Sequence, residues 1–238
     1  MQSEWIRVYF MEAASTTARE RVLQQAAQLF SARGYTAVSM RDIADALAMR
    51  QASLYYHVPE GKEQLYVEVA MRNLQRHQQG VASAVAASRD SSLDARLLAV
   101  GEWFMNNAPL RLLSMLETDM AALSKAHSEL LARQAYEMLF APVAALFAEA
   151  QERGEIRPID PAQLAGYFLS LMDGISYIVT SGHAGTAGHA GTAVDHHLVH
   201  DAIDLLLNGL WLVERAGEGN GAEQQQTQGG ILDDASAG

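Results

Sequence analysis

The stretch Ser39–Leu65, SMRDIADALAMRQASLYYHVPEGKEQL, leaves few folds open. Ser39, followed by Asp42, caps a short helix whose inward face is Met40, Ile43, Ala44 and Leu47. Only Ala48-Met49-Arg50 separate it from another short helix, about Gln51–His57, anchored by Leu54 and ended by Pro59 and Gly61. Upstream, Thr17 and Glu20 form a capping box. Val22, Ala26, Leu29 and Phe30 then recur at helical spacing until Gly34 stops the helix. Three helices on short loops, the last two nearly adjacent, describe a helix-turn-helix head, a unit that lays its final helix in the major groove of DNA.

The overall charge of −11 argues against that reading until its distribution is examined. Between Ser15 and Gly80 there are eight basic and six acidic residues, a net of +2; the remainder holds nine and 22, a net of −13. A basic head on an acidic body suits a protein that meets phosphate at one end. There are no cysteines, which excludes disulfides and thiolate metal sites. No apolar run approaches the roughly 20 residues needed to span a bilayer, and the first ten residues are too polar for a signal peptide. The expectation is a cytoplasmic protein with no membrane partner.

Periodicity continues helical past the head, and no segment alternates as a strand, so the fold class is all-α. Lys62 to about Ala87 predicts a helix linking head to body. Further helices are expected at 93–107, 109–124 and 128–153, the last kinked at Pro142, and then at 161–181 and 195–215. In the first of this final pair Gly166, Ser170 and Gly174 form a stripe of small residues. The second is apolar on more than one face, through Leu206, Leu210 and Val213 among others. A helix apolar nearly all round needs cover on both sides, and a homodimer through a four-helix bundle of this pair supplies it. The domains therefore read as an extension (1–14), a head (15–62), a helical effector-binding and dimerisation body (63–215) and a disordered Gly/Gln-rich tail (216–238). For the extension two readings stand: translation starting at Met11, or a disordered or partner-packing arm.

From Ala18 to Leu65 the sequence ARERVLQQAAQLFSARGYTAVSMRDIADALAMRQASLYYHVPEGKEQL resembles the TetR-type transcriptional regulators. Its AA-x-LF-x-x-x-GY helix and the phrase IA…SLYYH…KEQL carry the match; beyond them only the helical layout is similar. The resemblance implies that Arg41 and Gln51 read base edges, Arg suiting guanine and Gln suiting adenine. It also implies that Ser39, Tyr55, His57 and Lys62 hold phosphates, with Ser53 and Tyr56 further candidates. The family's Gly-Val-Ser turn is here Ala48-Met49-Arg50. Losing the Gly is inexpensive if the backbone stays right-handed. Losing the Ser removes the helix cap, about 1 kcal/mol, while Arg50 adds a cation at the groove edge. One extra residue, within Pro59-Glu60-Gly61, precedes Lys62.

Such regulators hold a small molecule in the body. Candidates here are Trp103, Phe104, Met105, Met115, Met120, Tyr136, Met138, Phe140 and Phe147, whose soft lining suits an apolar or amphipathic effector. His183, His189, His196, His197 and His200 cluster around the repeat Gly-His-Ala-Gly-Thr-Ala; a divalent metal held by His196 and His200, four apart on one helix face, is an alternative to a flexible loop with solvated histidines. No nucleophile motif, phosphate loop or His-Glu-x-x-His site is present, so no enzyme and no cofactor are expected. The sequence reads as a dimeric regulator of transcription, a repressor that binds a palindrome in double-stranded DNA. A DNA-bound scaffold controlled by a protein partner is the alternative.

Overall fold

Apolar residues at three- and four-residue spacing give helices throughout. The computed structural model describes residues 2–107, 111–112, 115–180 and 193–208, and for 2–17, 180 and 193–196 the backbone alone. Among the described residues there are nine α-helices and no strand: α1 Gln2–Arg33, α2 Met40–Ala46, α3 Gln51–His57, α4 Gly61–Ala87, α5 Leu93–Met105, α6 Lys125–Ala135, α7 Ala141–Glu152, α8 Pro161–Thr180 and α9 Ala193–Asn208. None is long and apolar enough to cross a membrane.

The head is α1, α2, α3 and the start of α4, closed on Val22, Ala26, Phe30, Ile43, Leu54 and Leu65, all buried. The capping box at Ser39 forms as the sequence implies: the Asp42 N–H donates to Ser39 Oγ (3.2 Å) and the Ser39 N–H donates to Asp42 Oδ2 (2.7 Å). That carboxyl is held below its ordinary range by hydrogen bonds from Ser39. In the body, α4 packs on α5, α5 on α9, and α7 on α8. Leu97, Val100, Leu146, Phe147, Leu164 and Phe168 fill the space between them.

Four expectations need correction. First, α1 runs unbroken from Gln2, so Thr17 lies inside a helix and not at its start, and the 1–14 extension is helical from Gln2 on. Second, the described part of the segment expected as one helix over 109–124 is not a regular α-helix: Leu112 is helical, Met115–Asp119 is a π-turn and Met120–Ala122 a 3₁₀ turn, with Arg111 at φ 52°. Asp119, at the end of the π-turn, reaches into the head. Third, 128–153 divides into α6 and α7 at a π-turn, Tyr136–Phe140. Pro142 lies in the first turn of α7, directly after this π-turn.

The fourth concerns the turn between α2 and α3. Ala48 has φ 51°, the left-handed region. Its N–H bonds the Asp45 carbonyl (3.1 Å), and the Met49 N–H bonds the Ala44 carbonyl (3.0 Å). This is a Schellman motif with alanine where glycine is favoured. The missing glycine therefore costs about 1–2 kcal/mol as left-handed strain. Arg50 caps α3 with backbone only, as expected once serine is gone. Residues 209–238, which include Leu210, Val213 and the tail, lie outside the described residues, as do His183 and His189.

Relief of the strain at Ala48 is measurable. Ala48→Gly is expected to stabilise the protein by about 0.5–1 kcal/mol after glycine's larger unfolded-state entropy is subtracted. Thermal denaturation reads the gain as a raised Tm; an unchanged or lowered Tm would contradict the strain.

Candidate nucleic-acid interface and effector region

The α3 helix is seven residues long and sits on the head through Leu54, which is fully buried. One buried anchor on so short a helix leaves the other faces outside. Gln51, Ser53, Tyr55 and Tyr56 are all exposed, the two tyrosines at 42% and 78%. Two exposed tyrosines on adjacent positions are unusual for a helix with no partner. The Tyr56 ring meets the His57 ring edge-on, centroids 5.3 Å apart. Arg50 stands exposed at the N-cap of the same helix.

Other candidates have neighbours within the head. Arg41 lies on the outer face of α2 and reaches Asp45 at 3.7 Å, both well exposed, a contact worth little in water. The Ser39 hydroxyl is engaged with Asp42. Lys62 is half-buried: its Nζ donates to the Tyr35 carbonyl (2.8 Å) and lies 4.1 Å above the Tyr35 ring. Burial pulls its pKa down, opposed by Asp119 and Asp42. The ammonium keeps further N–H donors, so Lys62 presents charge from a fixed position instead of a freely swinging stem.

His57 also borders a cleft of about 250 Å³ between α1 and the α3–α4 turn, where Arg19 and Glu68 meet. There Arg19 makes a bidentate pair with Glu68 (2.8 and 2.5 Å), and Arg72 bridges Glu68 and Glu20. These pairs clamp α1 to α4 beneath the exposed helix.

The nine residues expected to line an effector site are dispersed. Phe147, Phe104, Met115 and Met120 are buried in the core; Trp103, Met105, Met138 and Phe140 are partly buried against it; Tyr136 is exposed. Trp103 lies flat on α4 at Gly80, where an added Cβ would fall 1.9 Å from the indole, and its Nε1–H donates to His77 Nδ1 (3.2 Å). The fully buried His77 ring stacks on Phe104, centroids 5.1 Å apart. Thus two expected pocket aromatics fill space against the linking helix. A cavity beside Phe104, Leu112, Met172 and Asp173 holds about 10 Å³, room for about one water.

On α8 the expected small stripe is open on its outer side. An added Cβ at Gly174 meets nothing within 4 Å, and at Gly166 only a Phe140 ring carbon at 3.9 Å. Ser170 is exposed, as are Tyr167, Tyr177, Ile178 and, on α9, Leu205; Leu206 is half-buried. His197 and His200 are exposed on α9, and no group of three metal-ligating side chains occurs among the described residues.

Two polar groups of this region were not evident in the sequence, Glu63 and Asp119. Glu63 Oε1 accepts from the Ser124 N–H (2.8 Å) and from His127 Nδ1 (2.7 Å), closing the start of α6 onto the first turn of α4. Hydrogen bonds from Ser124 and then His127 lower the Glu63 pKa from 4.5 to about 2. A depressed carboxyl stabilises the fold above its unfolded value and loses that contribution as the pH falls through its folded value. The stability difference between wild type and Glu63→Gln is therefore expected to be level above about pH 5 and to shrink between 4.5 and about 2. Denaturant titrations across that range test this; a difference independent of pH would contradict it.

Comparison with known proteins agrees with the geometry. The family described as "Bacterial regulatory proteins, tetR family" matches residues 22–69, the span from the first buried face of α1 into α4. The HTH-type transcriptional regulator LmrA of Bacillus subtilis (strain 168) is 35% identical over 72 residues, 30% of this chain and 38% of LmrA, so the match spans well under half that relative's length. The fold is similar to that of a putative transcriptional regulator from Saccharomonospora viridis in complex with choline (TM-score 0.60, 24% identity, 83% of this chain and 100% of that one). It is also similar to AibR in complex with isovaleryl coenzyme A and operator DNA (TM-score 0.61, 23% identity, 79% and 96%). The match to that family lies in the head, and the likeness of the rest of the chain to these solved structures is one of fold.

Proposed function

We propose that the chain is a dimeric, sequence-specific regulator of transcription, a repressor released from its operator by a small effector, and not an enzyme. The observation that carries this reading is α3: one side chain buried, and Gln51, Ser53, Tyr55 and Tyr56 exposed together beside Arg50. A helix so presented can enter the major groove with Gln51 on an adenine edge and the tyrosines on phosphates. Arg41 adds a second base reader, Arg50 a further cation, and Ser39, His57 and Lys62 the flanking phosphate contacts. Dimerisation through α8 and α9 covers the open face around Ser170, Gly174 and Tyr177, and sets two α3 helices on a palindrome with half-sites about 34–36 Å apart or multiples of that.

Selection of bound duplexes from a random pool tests the reading. Wild type is expected to enrich a palindrome. Gln51→Ala should lose about 1–3 kcal/mol at one base pair per half-site. Lys62→Ala should weaken specific and random DNA alike and flatten the salt dependence. No enrichment by wild type at low salt, or equal losses on specific and random DNA for Gln51→Ala, would overturn these assignments.

One observation favours a second reading. Among the described residues, Trp103 and Phe104 pack against α4 and about 10 Å³ is left beside Phe104. Control by a protein partner fits a body so packed. The two readings separate in a thermal-shift screen that includes choline and isovaleryl coenzyme A, bound by proteins of similar fold. A true effector at 100 times its Kd should add about 2.7 kcal/mol to stability and release the operator. A small-molecule screen without any such pair of effects would favour the partner.

A further inference from the structure

We propose that Asp119 is the positioning residue through which the body fixes the orientation of the head, and so the spacing at which a dimer presents its two α3 helices. The inference rests on the dimeric reading above and names the contact that makes it work.

Asp119 belongs to the body, at the end of the π-turn, yet its carboxylate lies in the head. It is 6% exposed. Its two oxygens take donors from two different elements: Oδ1 accepts the Tyr35 N–H (2.9 Å) in the turn between α1 and α2, and Oδ2 accepts the Tyr66 O–H (3.0 Å) on α4. Burial, and then the Asp119 charge, push the Tyr66 hydroxyl well above its ordinary pKa, so it stays a donor. The approach also needs Gly34, which ends α1 at φ 78°; a Cβ there would lie 3.1 Å from Oδ1. Glycine at this point serves both the left-handed turn and the passage of the carboxylate.

The donors are not isolated. Tyr35, Tyr66 and Phe30 form one aromatic cluster, with centroids 4.9 Å apart for the two tyrosines and 5.2 Å for Phe30 and Tyr66. Lys62 bonds the Tyr35 carbonyl on the other side of the same peptide group's residue. Behind Asp119, Arg111 Nη1 donates to the Ser31 carbonyl (2.5 Å), and the Leu112 N–H donates to Asp173 Oδ1 (3.0 Å) on α8. Polar bonds therefore run from α8, whose outer face is the open one, through Arg111–Asp119 to the turn before α2. The backbone of that segment is irregular, with Arg111 left-handed and a π-turn, a conformation that persists only where its surroundings hold it.

Apolar contacts alone would let head and body slide. A buried carboxylate does not: moving either donor leaves charge unsatisfied, so the orientation sits in one well. Loosening it should leave each head able to read its own half-site but lower the effective concentration of the second head at the second half-site.

The test uses the full-length protein, the palindrome selected from the random pool, and a duplex carrying one half-site. Asp119→Asn keeps shape and removes charge; Tyr66→Phe keeps the ring cluster and removes one donor. Each melts above the assay temperature if folded, and Tyr66→Phe serves if Asp119→Asn does not fold. The expected result is a loss of about tenfold or more on the palindrome with half-site affinity unchanged. Equal losses on both duplexes would mean local damage to the head and overturn the proposal, as would no loss on either. A wild type that binds palindrome and half-site alike would overturn the dimeric reading, and the proposal with it.

Discussion

The first two turns of α4 are buried from two sides, and everything else in the molecule is arranged around that. Leu65 closes the core beneath α3, while Tyr66, Val67 and Val69 are buried with it within one and a half turns. A helix apolar on so much of its surface must be covered by two layers. The head supplies one and the body the other. Neither layer can be displaced without uncovering residues the other relies on. The polar pairs Arg19–Glu68 and Glu63–His127 add direction to this contact, since each joins α4 to a different layer.

The consequence is a molecule whose charge asymmetry has a mechanical counterpart. Basic and acidic residues segregate along the sequence, and the structure joins the two regions through polar contacts at a shared helix. Glu63 reaches from that helix to the body, and Asp119 reaches from the body to the head. Each carboxylate is held by donors across the seam and not by its own element, so the seam has a defined geometry.

The head was legible in the sequence because its elements are specified locally. Ser39 and Asp42 encode a cap within four residues, Leu54 is the one apolar position that α3 can bury, and Gly34 ends α1. Tyr55 and Tyr56 stand out only through the family resemblance, and both are exposed. What escaped the reading depends on distant partners. Thr17 and Glu20 have the form of a helix start, but helix continues through them from Gln2. Asp119 sits 84 residues from Tyr35, and nothing in its own neighbourhood distinguishes it from a solvated acid. The body was less legible for a related reason: composition names aromatic and Met residues but not which way each turns, and Trp103 lies on the bare backbone at Gly80. Pro142 signalled an irregularity, and a π-turn lies just before it.

The left-handed alanine between α2 and α3 bears on more than stability. Glycine in that region explores a broad basin, whereas an L-residue with a Cβ is confined to a small one. Ala48 therefore acts as a stiff joint. The angle between α2 and α3 fluctuates less than a glycine turn would allow, and the exposed side chains of α3 keep a narrower range of directions. The head that gives up some resistance to unfolding gains resistance to bending.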